Sequence, residues 1–509
     1  MSLTRLRVTA RARWWITFVL IAAVAGIWTL TTPLFGAPDE PAHVIRAAAI
    51  ARGELTGSTR EGEPDFVRYV SVPAIFGSPT IPFAPDPNLT TVCFAFDRNA
   101  TPDCLSFSGS NAEKSVATHV GTYPPLYYGI AGASSLGLAS VSGVLLMRAA
   151  TMLACAALVA WAYWSARRMP NPRAALLGLV IAVTPMTLFL FGSVNPNALE
   201  IAAGIAVWAA GGVLALEASS RIDRRLVAVT GVSASVLVLA RSLSPLWLAL
   251  IAVTLAVFAP AGGLRRLARD PMCRIWAAVV GVATVVQLAW IGAFDAVDSL
   301  GGEGVDASAS ESVRSSLGKS GDNYEQMIGV FGWLDTPAPF LTVVVWTGML
   351  GALIILAMVV RRRRQRIALL GLIGAAALVP VVLETAKAAD VGFVWQGRYT
   401  MPLAVGVPVL AGLMLASERP GSVSLDRTRL YLGAMAALFA AHLAAFVQHL
   451  RRNMVGYDGP IQFWSDPDWS PLLPAWVLVP AYALALAALL WWTLGPASVQ
   501  RPVLAPERS

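Results

Sequence analysis

The stretch WWITFVLIAAVAGIWTLTTPLF, residues 14–35, decides the fold class because its 22 residues include no charged side chain. A membrane-crossing α-helix needs about 20 predominantly apolar residues. Basic residues, among them Arg11 and Arg13, precede the stretch, and no convincing small-residue cleavage site follows it. We therefore expect a retained first transmembrane helix at 14–35, after a cytoplasmic N-terminus at 1–13.

Further apolar segments of similar length follow along the chain. Of the 509 residues, 56% are hydrophobic and only 13% are charged, whereas soluble domains are about 25% charged. This composition excludes an ordinary soluble globule and a disordered chain. The sequence predicts an all-α integral membrane protein with about 12 transmembrane helices. The predicted spans are 14–35, 142–165, 174–192, 198–217, 226–240, 243–260, 275–294, 340–360, 367–386, 400–417, 430–449 and 474–494.

The charge distribution predicts the orientation of these spans. Lys and Arg prevail in the connections that would be cytoplasmic, as the positive-inside rule requires, whereas Asp and Glu prevail in the others. Basic segments flank 226–260 on both sides, so two short helices that break near Arg241 are expected there rather than one long helix. Both termini, including the tail 495–509, are then cytoplasmic. The net charge of +8 reflects this topology. The lipid bilayer is an expected partner, and no nucleic-acid partner is expected.

The predicted extracytoplasmic mass lies in two long connections. Residues 36–141 form a large first loop, and 295–339 form an extracytoplasmic or interfacial loop between the helix blocks 142–294 and 340–494. Loops of this length usually have a function or a structure of their own. Cys93 and Cys104 lie on the side that is oxidising in this topology, so we expect them to form a disulfide.

The densest polar cluster, PDEPAH at 38–43, directly follows the first span. A proline after Glu40 suits the first position of a helix, on which His43 and Arg46 share one face. The acids either cap this helix and compensate its dipole, or Asp39 or Glu40 is a general base at a membrane surface. Binding of a divalent cation by the two carboxylates and His43 is a further open alternative, although the sequence defines no complete set of ligands.

Three later segments supply further candidates on the outer side. Tyr123 and Tyr127 of the YPPLYY run belong either to an aromatic belt or to a groove for a sugar or lipid. Asn195 lies in a tight polar turn with the SVNPN sequence. Trp333 and Asp335 end a segment that is expected to lie on the outer leaflet as an amphipathic element.

Arginines near the membrane give two kinds of candidate. Arg398, between Gln396 and Tyr399 at the start of a span, either snorkels among headgroups or binds a lipid phosphate through its fork of donors. Arg148 lies within a predicted span, and Arg241 interrupts the apolar stretch 226–260. Because charged side chains are costly there, both are expected to be functional.

Taken in chain order, these segments resemble the DUF2142 family of bacterial membrane proteins. The resemblance covers most of the chain, from about Trp15 to Leu410, and rests on residues 38–46, 123–128, 193–197, 331–335 and 396–399. Two positions depart from the family pattern: Asn197 stands where an acid is typical, and Arg241 stands where a lysine is expected. That family is in turn similar to the GT-C class of integral-membrane glycosyltransferases.

The resemblance implies an enzyme of the bacterial cytoplasmic membrane with an extracytoplasmic active site. It would transfer a sugar from a polyprenyl-phosphate donor to a glycan or lipid acceptor, without a certain cofactor. The expected roles are Asp39 and Glu40 for catalysis, Arg398, Gln396, Arg46 and Arg241 for the donor phosphate, and His43, Tyr123, Tyr127, Asn195, Trp333, Asp335 and Tyr399 for the substrate groove. A transporter or flippase of lipid-linked sugars, or a non-catalytic scaffold for envelope assembly, is the alternative.

Overall fold

A computed structural model gives the fold. It describes residues 9–63, 67–77, 81–82, 90–107, 109–218, 222–296, 304–359, 362–417 and 427–496. Residues 1–8 and 497–509, which hold most of the predicted cytoplasmic termini, lie outside the described residues.

The described chain is built almost entirely from helices. Its first half contains α1 (Ala10–Thr31), α2 (Glu40–Ala51), α3 (Pro125–Ala133), α4 (Val141–Ala166), α5 (Pro172–Ala182), α6 (Pro185–Phe191), α7 (Pro196–Glu217), α8 (Arg224–Ala240) and α9 (Ser244–Phe258). Its second half contains α10 (Gly263–Arg269), α11 (Pro271–Phe294), α12 (Ala309–Gly318), α13 (Ser320–Gly329), α14 (Phe340–Val359), α15 (Arg363–Val391), α16 (Gly397–Ala404), α17 (Gly406–Ala416), α18 (Arg427–Val455) and α19 (Ala475–Leu494). Short 3₁₀ turns cover Ala74–Phe76 and Pro102–Cys104.

Strands are short and confined to the two long connections. Antiparallel pairs join β1 (Arg68–Pro73) to β4 (Glu113–Thr118), β2 (Ile81–Pro82) to β3 (Thr90–Thr91), and β5 (Val330–Phe331) to β6 (Thr336–Pro337). In the first pair Arg68 lies opposite Thr118. The described residues therefore confirm the all-α class, with small hairpins added in the two long connections.

Nine helical segments among the described residues are long and apolar enough to cross a membrane. They are α1, α4, α7, α11, α14, α15, the consecutive α16 and α17, α18 and α19. The α5–α6 pair passes the same test as a unit but is bent by 67°, and it would make a tenth span. Every predicted span coincides with a helix or helix pair, but α8 and α9 have only 17 and 15 residues. Twelve crossings therefore stay a prediction, although the break at Arg241 into two short helices is as expected.

The bundle is packed most closely around α7, which is buried along nearly its whole length. α7 lies against α4 and α8, α1 lies against α4, and α5 lies against α17. At the α5–α17 contact, a Cβ on Gly178 would come within 2.3 Å of the Pro408 carbonyl oxygen. Small residues at such contacts let helices in membranes approach closely, so this glycine sets the spacing of the two helices.

The first loop is folded onto the bundle. Its helix α2 is buried from Glu40 to Ala49. The predicted disulfide is confirmed, since Cys93 and Cys104 are bonded with their Cα atoms 6.4 Å apart. The segment that this bond closes is attached to α18, where Arg452 donates to two of its backbone carbonyl oxygens at 3.1 and 2.9 Å.

The second long connection reaches the core at its end. α12 and α13 precede the β5–β6 hairpin, in which Phe331 is fully buried and lies 5.1 Å from the ring of Trp28 on α1. The sequence predicted that residues up to 335 would lie on the outer leaflet. For the hairpin this prediction is wrong, because its apolar side chains pack between helices; for α12 and α13 it stays a prediction.

Candidate functional site

Asp39 links α1 to α2 in an unusual backbone conformation. Its φ of 62° and ψ of 5° lie in the left-handed region, which non-glycine residues seldom occupy and which is frequent at functional sites. Its carbonyl oxygen accepts the first helical bond from the His43 amide at 3.1 Å, but its side chain makes no capping bond. The interpretation of this carboxylate as a helix cap is therefore wrong.

The Asp39 carboxylate is bound by Arg398. The Arg398 Nη2 donates to Asp39 Oδ2 at 2.5 Å and to the Tyr399 hydroxyl at 3.3 Å. The Asp39 side chain is 32% exposed, whereas that of Arg398 is 1% exposed. A snorkelling anchor would not be enclosed in this way, so that interpretation of Arg398 is wrong.

Two donors of Arg398 remain unused. Its Nε and Nη1 are buried and have no hydrogen-bond partner among the described residues. Buried donors are seldom left unsatisfied, and a guanidinium presents such donors in a rigid fork that matches carboxylate and phosphate oxygens. Arg398 can therefore bind an anion while it still holds Asp39.

Positive groups around Asp39 set its ionisation. Burial would raise the pKa of this carboxyl, but the nearby guanidinium groups, Arg398 first and Arg241 after it, outweigh burial and hold the pKa below its ordinary value. The carboxylate is thus ionised at neutral pH. As a consequence it is a weak base for as long as Arg398 faces it alone.

His119 is a site residue that the sequence analysis missed. Its Nε2 lies 3.9 Å from Asp39 Oδ1, because the preceding Thr118 ends β4 and donates its hydroxyl to the Ala42 carbonyl of α2 at 3.1 Å. No local pattern signals this contact, which depends on the pairing of β4 with β1. In the part of the chain that the structure describes, no group of three or more His, Cys, Asp or Glu side chains is placed to hold a metal ion.

His43 and Arg46 of α2 contact the tyrosine-rich segment 123–128. His43 Nδ1 is hydrogen-bonded to the Tyr128 hydroxyl at 2.9 Å, and burial holds the pKa of this imidazole well below its usual value, so it is neutral. Arg46 Nη2 donates to the Tyr123 carbonyl at 2.9 Å. Burial lowers the pKa of Arg46 to about 10, which leaves it charged at neutral pH. These contacts make His43 a positioning residue, and the buried Arg46 keeps its Nε and Nη1 without a hydrogen-bond partner among the described residues.

Glu40 has surroundings opposite to those of Asp39. Both Glu40 and Arg148 are fully buried, and Arg148 donates Nε and Nη2 to the two Glu40 oxygens at 2.7 and 2.5 Å. The Val194 amide donates to the same carboxylate at 2.8 Å, and Arg148 also bonds carbonyl oxygens at the end of α1. Glu40 therefore joins α1, α2, α4 and the turn before α7. This geometry favours Asp39 over Glu40 as the reactive acid.

Arg241 reaches the site from the break between α8 and α9. Its Nη1 donates to the Asn197 amide oxygen and lies 3.7 Å from Glu200 Oε2. Its guanidinium carbon is 4.9 Å from the centre of the Tyr399 ring and 5.9 Å from that of Tyr123. Glu200, one turn after Asn197, thus gives Arg241 a carboxylate partner.

An apolar cavity of about 210 Å³ adjoins this cluster. Tyr123, Tyr399 and residues of the α8–α9 break, among them Arg241 and Leu243, line one part of it. Trp395 and side chains of α15, which include Leu383 and the charged Glu384 and Lys387, line most of the rest. Tyr399 also contacts the Arg398 guanidinium. The cavity therefore offers a hydrophobic volume next to the cations of the site.

Four residues that were predicted to form the substrate groove do not line this cavity; they are Tyr127, Asn195, Trp333 and Asp335. The Tyr127 hydroxyl is bonded to a threonine of α4 at 2.9 Å, and the Asn195 amide donates to the carbonyl just before Asp39 at 3.1 Å. The Trp333 indole donates to the carbonyl of Phe35 at 3.1 Å, and Asp335 accepts from a buried arginine of α18 at 2.9 Å. These side chains fix the end of α1 and its connections. The Tyr123–Tyr128 aromatics are buried within the protein and form no exposed belt.

The start of α16 determines where Arg398 lies. The Gly397 amide donates to the Gln326 side chain at 2.7 Å, and a Cβ on Gly397 would come within 2.2 Å of the Asn323 carbonyl oxygen. Only glycine permits this contact between α16 and α13. Gln396 precedes α16 and is half-buried, with its Oε1 unpartnered in the described structure.

A family model described as "Predicted membrane protein (DUF2142)" matches residues 22–407, well over half of the chain. The chain belongs to the DUF2142 family. No curated protein and no solved structure matches it. In this DUF2142 protein the matched region contains Asp39, Arg241 and Arg398, so the whole cluster lies within the family's span. The membrane assignment of the sequence analysis is thereby supported, and its similarity to GT-C enzymes stays an expectation.

Proposed function

We propose that this DUF2142 protein is a membrane glycosyltransferase that transfers a sugar from a polyprenyl-phosphate donor to an extracytoplasmic glycan or lipid acceptor. The observation that carries the proposal is the Asp39–Arg398 pair. It combines a partly exposed carboxylate with a buried guanidinium that has two unused donors. Such a pair suits a reaction that needs a base and an anion-binding group a few ångströms apart.

Each part of the donor has a matching feature. The unused Nε and Nη1 of Arg398 would bind the phosphate, with Arg46 and Arg241 as further cations. The cavity lined by Tyr123 and Tyr399 would take the first isoprene units, since its walls are almost entirely apolar. The sugar would then face Asp39, whose side chain is the exposed member of the pair.

The chemical step is a displacement at the anomeric carbon. Asp39 accepts the proton of the acceptor hydroxyl, and the hydroxyl oxygen forms the new bond to the anomeric carbon. The bond from that carbon to the phosphate oxygen breaks, and its electron pair stays on the polyprenyl phosphate, where Arg398 stabilises the charge. The protonated Asp39 later returns its proton to solvent.

Donor binding would also prepare the base. In the free site Arg398 holds the Asp39 pKa down. A bound phosphate shares the same guanidinium, and its negative charge favours the protonated carboxyl. The carboxylate therefore becomes a stronger base only when a donor is present, which limits wasteful hydrolysis.

The alternatives account for fewer of these features. A flippase is expected to place charged groups along a path through the bundle, whereas the described cluster of Asp39, Arg241 and Arg398 gathers at one end. A scaffold role would explain the helices. It gives no reason for Asp39 to adopt a left-handed backbone conformation beside the unpartnered donors of Arg398.

Substitution of Asp39 by asparagine tests the proposal. Asp39→Asn keeps the size, and its amide oxygen can still accept the hydrogen bond from Arg398, so the fold should be kept, but the amide cannot accept the proton. We expect transfer to fall by about 10²–10⁴. The assay follows release of polyprenyl phosphate from synthetic short-chain polyprenyl-phosphate pentoses and hexoses by protein in lipid nanodiscs.

The matched control is Asp103→Asn, which changes an exposed acid of the same loop and should leave turnover intact. Normal turnover by Asp39→Asn would refute Asp39 as the base. If Glu40→Gln were inactive at the same time, with an unchanged melting temperature, the catalytic role would pass to Glu40.

A further inference from the structure

We propose that a second site, at the end of the bundle opposite Asp39, binds the phosphate of an acidic phospholipid. The site is a groove of about 450 Å³ where the start of α1, the end of α4 and the start of α8 meet. We call it the tryptophan groove. Its main lining residues are Arg11, Trp14, Trp15, Trp161, Trp164 and Arg225.

The position of the tryptophan groove fits a membrane surface. It adjoins the first residues of α1, while Asp39 follows the last ones, and a 22-residue helix spans about 33 Å. That length is close to the thickness of the hydrocarbon core of a bilayer. The groove and the Asp39 site therefore lie near opposite surfaces, and tryptophan rings are typical of the headgroup level.

The groove carries uncompensated positive charge. Arg11 and Arg225 are exposed, and neither side chain has an ion pair within the described ranges. The neighbouring acids, Glu217 and Asp223, both form ion pairs with Arg168, with a nitrogen–oxygen distance of 3.1 Å in each pair. An anion in the groove would thus meet two available guanidinium groups.

An unused donor points to the same kind of ligand. Trp14 packs flat on Phe18 with ring centres 5.3 Å apart, and it lies 6.4 Å from the ring of Trp161. Its indole Nε1 is buried and makes no hydrogen bond to any described residue. A buried donor without a partner costs about 1–3 kcal/mol, and a phosphate or glycerol oxygen in the groove would remove this cost.

The walls distinguish a lipid from a soluble phosphate. Four indole rings and an aliphatic side chain of α8 make the lining mostly apolar, which suits the upper part of acyl chains. Basic sites between helices are known to bind acidic lipid headgroups. Two cations, one indole donor and an apolar wall together favour a phospholipid with a net negative charge.

The test is lipid binding by the full chain. Delipidated protein in detergent is titrated with dioleoyl phosphatidylglycerol, and bound lipid is measured by native mass spectrometry. We expect phosphatidylglycerol to bind more tightly than dioleoyl phosphatidylcholine, and soluble glycerol phosphate not to compete. Arg11→Gln and Arg225→Gln should each weaken binding about five-fold, and Trp14→Phe, which keeps an aromatic ring but removes the donor, about ten-fold.

Controls separate this site from general charge effects and from the Asp39 site. The double variant Arg265→Gln/Arg269→Gln removes two exposed arginines of α10 outside the groove and should leave affinity unchanged, as should Asp39→Asn. Equal affinity for the two phospholipids, competition by glycerol phosphate, or the same loss in the α10 variant would overturn the proposal. Tighter binding of a polyprenyl phosphate at the groove would overturn its assignment to phospholipid.

Discussion

At the scale of single residues, the left-handed conformation of Asp39 separates two adjacent acids. It turns the Asp39 carboxylate toward Arg398 and leaves Glu40 facing Arg148. One carboxylate is then partly exposed and the other is sealed. Strain of this kind persists only where the surroundings hold it, and the two ion pairs supply that restraint from either side.

Arg398 gives the sharpest test of phosphate binding. Arg398→Lys keeps the charge but loses the fork of donors, so we expect weakened carrier binding and partial activity. Arg398→Ala should lose far more of both, since it removes the charge and both unused donors. The measurement is titration of a short-chain polyprenyl phosphate against the parent protein and the two variants.

The control for this series is Arg98→Lys, because Arg98 forms an exposed ion pair in the first loop. It should bind the carrier like the parent protein. Equal affinity of the parent protein, Arg398→Lys and Arg398→Ala would mean that the phosphate lies elsewhere, with Arg241 and Arg46 as the next candidates.

At the scale of helices and loops, the sequence predicted what depends on local composition. Apolar runs predicted the position of each span-length helix or helix pair, and the expected oxidising side predicted the Cys93–Cys104 bond. The contacts of Glu40 were not predictable, because Arg148 lies 108 residues away. His119 was missed for a similar reason, since a strand pairing brings it to Asp39. The bend between α5 and α6 was also missed, although Thr184 caps α6 and Pro185 stands at its first position, which is a local signal for the start of a new helix.

The Glu40–Arg148 pair should be structural, since it joins four elements in a buried environment. Glu40→Gln or Arg148→Met alone leaves one charge buried without its partner, which typically costs about 3–5 kcal/mol. The double variant Glu40→Gln/Arg148→Met removes both charges, so we expect its melting temperature to lie above that of Arg148→Met. Thermal unfolding in detergent measures this.

A suitable comparison is Arg98→Met/Asp458→Asn, which removes an exposed ion pair. Exposed pairs contribute about 0–1 kcal/mol, so this variant should melt close to the parent protein. Single variants at Glu40 and Arg148 that melt normally would contradict the structural role, and an inactive but stable Glu40→Gln would favour a catalytic one.

At the scale of the whole molecule, the helix ends show which elements run the full height of the bundle. α5 begins beside the end of α19, where Arg173 donates to the Gly495 carbonyl at 2.9 Å, and α6 ends just before Val194, which bonds Glu40. The bent pair thus passes once from one end to the other. α8 likewise runs from Asp223, bound by Arg168, to Arg241 in the site, and α9 runs back.

This arrangement fixes the parity of the crossings. If each of the nine long segments and the bent pair crosses the membrane once, they make ten passes among the described residues. α8 and α9 add either two passes or none, because they leave from and return to the same end. At 17 and 15 residues they span only about 25 and 22 Å, less than the ~30 Å core, so Arg241 should lie below the outer surface. Under either count we expect the two ends of the described chain on the same side.

We therefore predict that both ends face the cytoplasm and that the connection between α18 and α19 faces outward. Ala10→Cys, Pro496→Cys and Ile461→Cys place single exposed thiols at these three points, in a Cys155→Ser/Cys273→Ser background that removes the free cysteines. A membrane-impermeant maleimide applied to intact cells should label only Ile461→Cys, and lysis should make the other two reactive. Labelling of one terminal thiol without the other would require an odd number of crossings, which is incompatible with the bent pair and α8–α9 as described. Labelling of both terminal thiols but not Ile461→Cys would invert the orientation and place Asp39 on the cytoplasmic side, where an extracytoplasmic acceptor cannot reach it.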